Sequence, residues 1–352
     1  MNMNKEDTSL VEASRKLPKS KSRRRQPVGR RVEPKQATMK AIAFDRFGPP
    51  SVLKLHTLPV PKLGRGEVLI AVRAAGVGTW DDDIRGGWWP AGRPSFPVVP
   101  GADGAGNVVA RGDRVRRFNV GDKVWAYEFV NPKGGFYAEY VAINAEHAAR
   151  VPRRLDLLQA GAAAVTGLTA LQGIDDHLGV RKGETVLIFG ASGAVGTLAV
   201  QFAKWRGARV LGTTSGRAAA TLVRKLGAKG VIDARSKSFV EQLRALAPDG
   251  IDAVLALAGG KALEQAIDCV RPGGRVAYPN GVEPEPKRRP KFRLIAYDGM
   301  NGRREFERLN RAVEGARLRV PIAAVYPLSQ AAKAHERIKR GGVTGRIVLR
   351  VH

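Results

Sequence analysis

The residues with the clearest chemical potential are three glycines that follow an apolar run. Residues 185–189 form that run, Gly190, Gly193 and Gly196 follow it, and helical spacing begins at Ala194. Such a turn lets the backbone approach a pyrophosphate closely, and the start of the helix adds free N–H groups and a positive dipole. The sequence therefore predicts that this turn binds a dinucleotide. Its residues are Gly190, Ala191, Ser192, Gly193, Ala194, Val195 and Gly196.

Two other motifs share part of the glycine turn. A hydrolase nucleophile elbow over residues 190–194 would need glycine where Ala194 stands, and no Asp and His pairing is evident downstream. A Walker phosphate loop would need Lys followed by Ser or Thr after the glycines, and this pair is absent. A structural turn in an α/β domain that binds no ligand stays open as the alternative.

The end of the next predicted strand indicates which dinucleotide would bind. Enzymes that use NAD(H) usually place an acid about 20 residues after the glycines, where it binds the ribose 2′-hydroxyl. Residues 211–217 contain no acid and offer Thr214, Ser215 and Arg217 instead. Small hydroxyls leave room for a 2′-phosphate, and an arginine can bind it with two hydrogen bonds. The sequence therefore predicts NADP(H); the alternative is that Arg217 is only an exposed residue at a helix start.

The elements that position the turn change in type along the chain. Residues 40–44, 67–72 and 122–126 are short β-like runs separated by Gly and Pro clusters, which predicts a mostly β first domain. After about residue 160, strands alternate with helices, which is typical of βαβ units and a parallel sheet. The fold class is predicted to be α/β, and a last helix and strand lie near the C-terminus. The later predicted elements are strands 185–189, 208–211, 252–257 and 345–351, and helices 194–205, 218–226 and 329–340.

The composition is globular but strongly basic. The 352 residues include 60 Lys and Arg, 32 Asp and Glu and one Cys, with a net charge of +28. A single thiol excludes an intramolecular disulfide framework and a cysteine-based zinc cage, and it favours a reduced, cytoplasmic protein. The sequence contains no apolar run of about 20 residues, so no membrane span is predicted.

The N-terminal segment, residues 1–38, differs from the rest of the chain. It has eleven basic and four acidic residues, so +21 of the net charge lies elsewhere. Because it has few branched apolar residues and no aromatic one, it is predicted to be a disordered basic tail. The alternatives are a nucleic-acid or targeting arm, or an over-long gene whose true start is Met39.

Taken in order, the motifs resemble the zinc-independent quinone oxidoreductase branch of the medium-chain dehydrogenase/reductase superfamily. The resemblance covers residues 39–352. It implies a GroES-like catalytic domain built from residues 39–163 and 319–352, a Rossmann NADP-binding domain over 164–318, NADPH in the cleft between them, and a homodimer. The matching motifs are residues 39–42, 66–70, 75–81, 84–85, 96–101, 120–124, 137–141, 166–171, 184–197, 226–228, 271–275, 326–328 and 345–349.

The resemblance also bears on metal binding. Zinc-dependent relatives carry Cys and His at the positions of Gly78 and Ala102. The one thiol, Cys269, is expected on a helix of the nucleotide domain as a small buried apolar residue. The five histidines are scattered, and we expect surface or structural roles for them, so no metal site is predicted. The five histidines are His56, His147, His177, His335 and His352.

The resemblance implies hydride transfer to an acceptor that is already activated by conjugation, such as a quinone or an α,β-unsaturated carbonyl. Thr166, expected at a helix start, is the candidate contact for the nicotinamide ribose. Asn280 and Gly281, expected just past a strand of the sheet, are the candidates that place backbone against the nicotinamide. These positions agree with the binding of ligands at the carboxyl ends of parallel strands.

The proton donor is less clearly indicated. Relatives often carry Asn and Tyr where Gly78 and Asp83 stand, and both polar groups are missing here. Thr79, Asp81 and Tyr127 are the candidate catalytic residues in their place. Asp81 could equally be a structural acid, and solvent could supply the proton.

The tryptophans and the charge leave alternatives open. Aromatic side chains could stack on a flat quinone or simply pack the core and loops; the residues concerned are Trp80, Trp88, Trp89 and Trp125. A nucleic-acid-binding protein on a reductase fold is a second hypothesis, suggested by the basic run 287–293. It is disfavoured because no recognised nucleic-acid module is present. A carbonyl or alcohol oxidoreductase of the same superfamily is a third, disfavoured by the missing zinc ligands.

Overall fold

The computed structural model describes residues 37–90 and 92–351, which form fifteen strands and eight α-helices. The predicted tail of residues 1–38 therefore lies almost wholly outside the described residues. The strands are β1 Thr38–Ala43, β2 Lys54–Pro59, β3 Glu67–Val77, β4 Asp103–Arg111, β5 Lys123–Tyr127, β6 Tyr140–Asn144, β7 Ala148–Arg150, β8 Thr185–Phe189, β9 Arg209–Thr214, β10 Gly230–Asp233, β11 Ile251–Ala256, β12 Val270–Pro279, β13 Phe292–Tyr297, β14 Ile322–Pro327 and β15 Arg346–Arg350. The helices are α1 Thr79–Gly86, α2 Leu157–Gln172, α3 Ala194–Trp205, α4 Arg217–Leu226, α5 Phe239–Leu246, α6 Lys261–Asp268, α7 Arg303–Gly315 and α8 Ala331–Lys339.

A six-stranded parallel sheet holds the glycine turn. Its strand order is β10-β9-β8-β11-β12-β13, with each neighbouring pair parallel. The central strands β8 and β11 are almost continuously apolar and buried, as expected for strands covered by helices on both faces. All six carboxyl ends meet at one edge of the sheet, and the order reverses between β8 and β11. This edge is where ligands bind in open α/β sheets.

The second large sheet is mostly antiparallel and joins the two ends of the described chain. Its order is β14-β15-β3-β4-β5-β7, with β6 also paired to β3, while β1 and β2 form a separate hairpin. Strand β15 pairs with β3, with Ile347 opposite Val77. The C-terminal strand therefore completes a sheet that begins more than two hundred residues earlier in the chain. Together the two sheets confirm the predicted fold class.

Helix α2 lies in the core between the two sheets. It contacts β3 and β4 of the antiparallel sheet and α3 of the nucleotide-binding layer, and residues from both sides join it in one apolar cluster. With the π-helical turn Gly173–His177 it forms a stretch long and apolar enough to cross a membrane, by length and composition alone. That stretch is 83% buried inside the fold, so a core helix accounts for its composition.

Several sequence-based boundaries shift in the structure. Thr166 was expected at a helix start, but it is the tenth residue of α2 and its hydroxyl donates to the Ala162 carbonyl at 3.0 Å. The helix begins earlier because Asp156 and Gln159 form a capping box there. Cys269 was expected buried on a helix, but it follows α6 as its C-cap and is half-buried.

Candidate functional site

The three glycines of the turn meet different structural demands. Gly190 follows β8 at φ +89°, a conformation that L side chains rarely adopt. A Cβ on Gly196 would lie 2.2 Å from the Gly190 carbonyl oxygen and 2.8 Å from the Ala191 Cα, so the backbone itself requires glycine. A Cβ on Gly193 would come no closer than 3.5 Å to any atom other than its chain neighbours, and its φ is −71°. The backbone at 193 would therefore accept a Cβ, and apart from its place at the helix N-terminus glycine here leaves open space in front of α3.

The turn presents unpartnered amide groups at the start of α3. Gly193 is the N-cap and has no side chain to bind the first amides, and Ala194, Val195 and Gly196 find no backbone acceptor in the described part of the chain. Neighbouring amides are used structurally, since Ala191 donates to the Thr213 carbonyl at 2.9 Å. The free amides and the helix dipole form an anion site that suits a pyrophosphate.

The end of β9 borders a cavity of about 310 Å³. Thr214, the last residue of β9, is 8% exposed, and its hydroxyl has no hydrogen-bond partner among the described residues. Ser215 and Arg217 are exposed, and Arg217 opens α4. The residues that line the cavity are Thr214, Gly216, Arg217, Ala220, Arg224, Val231, Ile232 and Asp233.

The end of β12 lies at the same edge of the sheet. Asn280 and Gly281 follow β12 and are exposed, as the sequence predicted for residues just past a strand. The Asn280 amide donates to the Asp298 carboxylate at 2.9 Å, and its backbone N–H donates to the Tyr297 carbonyl. Gly281 has φ +88° and open space where a Cβ would stand. Backbone can therefore approach a ligand closely at this point.

Two of the candidate catalytic residues lie in the first turn of α1 and have different surroundings. Thr79 is exposed. Asp81 is fully buried, and its carboxylate accepts the Gly78 N–H at 2.8 Å as part of the helix cap. Burial raises the pKa of Asp81 above its usual range. The second carboxylate oxygen of Asp81 has no hydrogen-bond partner in the described structure.

A buried ion pair connects the candidate site to the C-terminal strand. Arg346 of β15 and Asp103 of β4 are 2.8 Å apart, and neither is more than 4% exposed in its side chain. Asp103 also accepts the Val165 N–H of α2 at 3.2 Å. Burial raises its pKa to about 6 even though Arg346 opposes the shift. Next to Arg346, the Gly345 N–H donates to the Ser192 carbonyl of the glycine turn at 2.8 Å.

Tyr127 stands directly across from Asp103 on the neighbouring strand, in an antiparallel register pair. Residues paired in this way put their side chains on the same face of the sheet, about 5 Å apart at Cβ. Burial raises the pKa of Tyr127, and the charges of Asp103, Asp298 and Asp81 raise it further. The Asn301 amide donates to the Tyr127 carbonyl at 2.6 Å, so the loop after β13 reaches this end of β5. The structure thus brings Tyr127 near three carboxylates from separate segments.

Sequence reasoning missed Asp103, Arg346 and a second buried network. The Tyr137 hydroxyl lies 3.2 Å from His335 Nε2, and His335 Nδ1 lies 3.6 Å from the Asp82 carboxylate. His335 holds the pKa of Asp82 down at about 2, with help from Arg85. Asp103 and Arg346 are each the first residue of a strand, where a charged residue is unremarkable, so no sequence signal indicates that they are paired. No local pattern pointed to His335.

The tryptophans divide between core and surface. Trp125 is fully buried and packs edge-on against Phe306 at 5.7 Å, which is the core role. Trp88 is 54% exposed and contacts Phe129 at 5.8 Å, while Trp80 lies under the Arg346 guanidinium at 4.8 Å. Trp88 therefore remains the tryptophan best able to meet a flat ligand.

The described residues contain no group of three or more His, Cys, Asp or Glu side chains placed to hold a metal ion. The Trp80 indole fills the space that a side chain at position 78 would need, since a Cβ there would lie 2.3 Å from that ring. Ala102 is a buried residue that immediately precedes β4.

Two family profiles match the chain. The one described as "Alcohol dehydrogenase GroES-like domain" matches residues 64–153, and the one described as "Zinc-binding dehydrogenase" matches residues 226–349. The quinone oxidoreductase of Sus scrofa is 33% identical over 330 residues, covering 89% of this chain and 98% of that protein.

Solved structures show the same architecture. An NAD-dependent alcohol dehydrogenase has a TM-score of 0.83 at 30% identity, covering 89% of this chain and 100% of that one. A mycobacterial protein complexed with NADPH has a TM-score of 0.79 at 28% identity, covering 89% and 100%.

A parallel sheet with a glycine turn beside a GroES-like sheet defines a medium-chain dehydrogenase or reductase. The likeness to the curated relatives extends over almost their whole length. This chain belongs to the quinone oxidoreductase branch of that superfamily, and it is an oxidoreductase.

Proposed function

We propose that this chain transfers hydride from NADPH to a conjugated carbonyl acceptor, a quinone or an enone, without a metal ion. The observation that carries the proposal is the cavity at the end of β9, where the unpartnered Thr214 hydroxyl lies with Arg217 and Arg224. The relatives named quinone oxidoreductase and the mycobacterial complex with NADPH support it. When bound, the nicotinamide supplies a hydride, that is, a proton with an electron pair.

The cavity suits the 2′-phosphate of NADPH better than a bare ribose. Thr214 offers a hydroxyl donor, and Arg217 and Arg224 offer guanidinium groups that can bind phosphate oxygens in pairs. Asp233 is the acid among the residues that line the cavity. Its carboxylate already accepts hydrogen bonds from Arg235, from Nη2 at 3.0 Å and from Nε at 3.1 Å. Its charge is therefore partly neutralised, and an arriving phosphate meets a net positive environment.

The glycine turn would hold the pyrophosphate, and the end of β12 would face the nicotinamide. The amides of Ala194, Val195 and Gly196 would donate to phosphate oxygens, and Gly193 would leave the space that those oxygens need. Asn280 and Gly281 present backbone to the nicotinamide side. We retain Thr166 as a candidate cofactor contact; it is 1% exposed, which leaves little surface for a ligand.

Tyr127 is the residue we propose as the proton donor to the acceptor oxygen. The phenol is protonated at neutral pH, as an ordinary tyrosine is, and no side chain of residues 37–90 and 92–351 hydrogen-bonds to its hydroxyl, which is half-buried and can donate to a substrate oxygen. Thr79, exposed at the start of α1, is the second hydroxyl available to orient the acceptor. Asp81 caps α1 and acts on the site through that helix, because it has no exposed surface of its own.

The Asp103–Arg346 pair would position these groups relative to the cofactor. It joins β4, which carries the partner of Tyr127, to β15, whose neighbour Gly345 is bonded to the glycine turn. Loss of the Asp103 side chain would leave the buried Arg346 guanidinium without its hydrogen-bond partner. The pair therefore couples the two halves of the site through a rigid contact.

The test is turnover with NADPH and with NADH over a panel of quinones, enones and simple ketones. We expect oxidation of NADPH with conjugated acceptors, weak reaction with simple ketones, and unchanged activity after treatment with a zinc chelator. No turnover with any conjugated acceptor would refute the reaction, and preference for NADH would refute the cavity assignment. Reduction of simple ketones that a chelator abolishes would instead favour the alcohol dehydrogenase alternative.

We also propose a cytoplasmic homodimer. Strand β13 ends the parallel sheet, and no other described strand pairs with its outer side. It carries half-buried Leu294 and Ile295, and a second copy of this edge could extend the sheet. Sedimentation of the wild type against Ile295→Lys tests this, because a charge at a paired edge should give monomers.

A further inference from the structure

An acid that the proposed reaction does not use lies at the cofactor edge of the parallel sheet. Asp298 directly follows β13 and is exposed. Its carboxylate accepts the side-chain N–H of Asn280 at 2.9 Å, and Asn280 directly follows the neighbouring strand β12. Ligands of open α/β sheets bind at the carboxyl ends of the strands, so this carboxylate stands at the nicotinamide end of the proposed cofactor site.

The segment that carries Asp298 is held in place by hydrogen bonds on two sides. The Gln172 side chain of α2 accepts the Met300 N–H at 2.9 Å and donates to the Met300 carbonyl at 2.8 Å. The Asn301 amide donates to the Tyr127 carbonyl of β5 at 2.6 Å. The segment cannot move away from the edge without breaking these three bonds. The charge of Asp298 is therefore positioned before a cofactor arrives, which is the condition for effective electrostatic stabilisation.

Asp298 is also close enough to the proposed proton donor for their charges to interact. Burial and the charge of Asp103 raise the pKa of Tyr127, and the charge of Asp298 raises it further. Asp103 has Arg346 as its counter-ion at 2.8 Å. Asp298, by contrast, pairs with no Lys, Arg or His side chain of the described residues, and its partner there is the neutral amide of Asn280. It is therefore an uncompensated negative charge beside the proposed reacting groups.

We propose, on the basis of the hydride transfer proposed above, that Asp298 supplies a fixed negative charge that stabilises the oxidised nicotinamide and so favours the reaction. Hydride transfer moves a hydrogen with its electron pair from the nicotinamide to the acceptor, so the ring is oxidised and gains one positive charge while the acceptor is reduced. The proton from Tyr127 neutralises the acceptor oxygen, whereas the positive charge stays on the ring. A carboxylate at this end of the site should therefore bind the oxidised cofactor more tightly than the reduced one.

The experiment measures the dissociation constants of NADPH and NADP⁺ for the full chain and for Asp298→Asn. Asparagine removes the charge but keeps an acceptor oxygen for Asn280, and the position is exposed, so the fold should be unaffected. Loss of one unit charge a few ångströms from the ring should weaken binding of NADP⁺ about 10-fold and leave that of NADPH nearly unchanged.

The matched control is Asp249→Asn, which removes the same charge from an exposed acid in the loop before β11, at the opposite edge of the same sheet. It should leave both dissociation constants at their wild-type values. Asp298→Glu restores the charge and should keep the wild-type ratio of the two constants. Hydride transfer measured in a single turnover should slow in Asp298→Asn and not in Asp249→Asn.

Two results would overturn the proposal. Equal weakening of NADPH and NADP⁺ in Asp298→Asn would make the residue an ordinary contact to a part that both forms share. An unchanged constant for NADP⁺ would show that the charge does not reach the ring. NAD⁺ and NADH should show the same change in ratio, because the effect concerns the ring and not the 2′-phosphate. If the ratio changes as expected but no conjugated acceptor is reduced, the proposed function fails and the role of Asp298 at the ring stands.

Discussion

Replacement of Gly193 by alanine should separate cofactor binding from folding. The residue has φ −71° and ψ 174°, which alanine adopts without strain, and its Cβ would meet no described atom closer than 3.5 Å. Alanine is a poorer N-cap than glycine, but it also lowers the entropy of the unfolded chain by about 0.4–1 kcal/mol. These effects oppose each other, so the free energy of unfolding should change by less than about 1 kcal/mol.

The effect on NADPH should be much larger. The added methyl group fills the space in front of the free amides of α3, so one phosphate oxygen loses its donor. A hydrogen bond to a charged group contributes about 1.5–3 kcal/mol, and about 1.4 kcal/mol is tenfold in affinity. We therefore expect the dissociation constant for NADPH to rise about 10- to 100-fold.

The assay pairs urea unfolding with titration of NADPH binding, and Gly196→Ala is the matched variant. A Cβ at 196 meets the Gly190 carbonyl oxygen at 2.2 Å, so that variant should lose stability, by about 1–3 kcal/mol or more. If Gly193→Ala binds NADPH as the wild type does, the pyrophosphate does not lie against this turn. If it unfolds as easily as Gly196→Ala, the distinction between the two glycines is wrong.

Three further predictions concern the rest of the site. Arg217→Gln combined with Arg224→Gln should raise KM for NADPH by about 10-fold or more and leave KM for NADH unchanged, since only the 2′-phosphate loses its partners; equal losses would contradict the assignment. Tyr127→Phe should lower kcat by about 100-fold or more with an unchanged dissociation constant for NADPH, as loss of a general acid does, and full activity would leave the proton to solvent or Thr79. Burial raises the pKa of Asp103 from 3.8 to about 6. The protonated carboxyl therefore favours the folded state, and the free energy of unfolding should fall by about 3 kcal/mol as pH rises from about 4 to about 6. Urea unfolding should show that Asp103→Asn removes this pH dependence, and the same dependence in both proteins would refute the pKa shift.

The glycine turn could be predicted from the sequence because its signals are local. Strand β8 and helix α3 lie where the pattern predicts them, at Thr185–Phe189 and Ala194–Trp205. The prediction for Thr166 was wrong in position because an alanine-rich run carries little information about where a helix begins. The cap at Asp156 decides that boundary.

The partners of buried polar residues could not be predicted. Asp103 and Arg346 are 243 residues apart, and no sequence pattern near either residue indicates its partner. The sequence indicated both Asp81 and Tyr127 as candidates. Only the structure shows that Asp81 is a buried helix cap, whereas the Tyr127 hydroxyl has no hydrogen bond to a neighbouring described side chain.

The sequence by itself determined the family, the fold class and the dinucleotide turn, since these depend on residue types at short spacing. Backbone conformation and helix termini respond to neighbours within a few residues, so short spacing carries that information. The tertiary structure alone decided which glycine of the turn the backbone requires and which buried acid is paired. These outcomes depend on burial and on contacts between distant segments, because desolvation and ion pairing act through space and not along the chain.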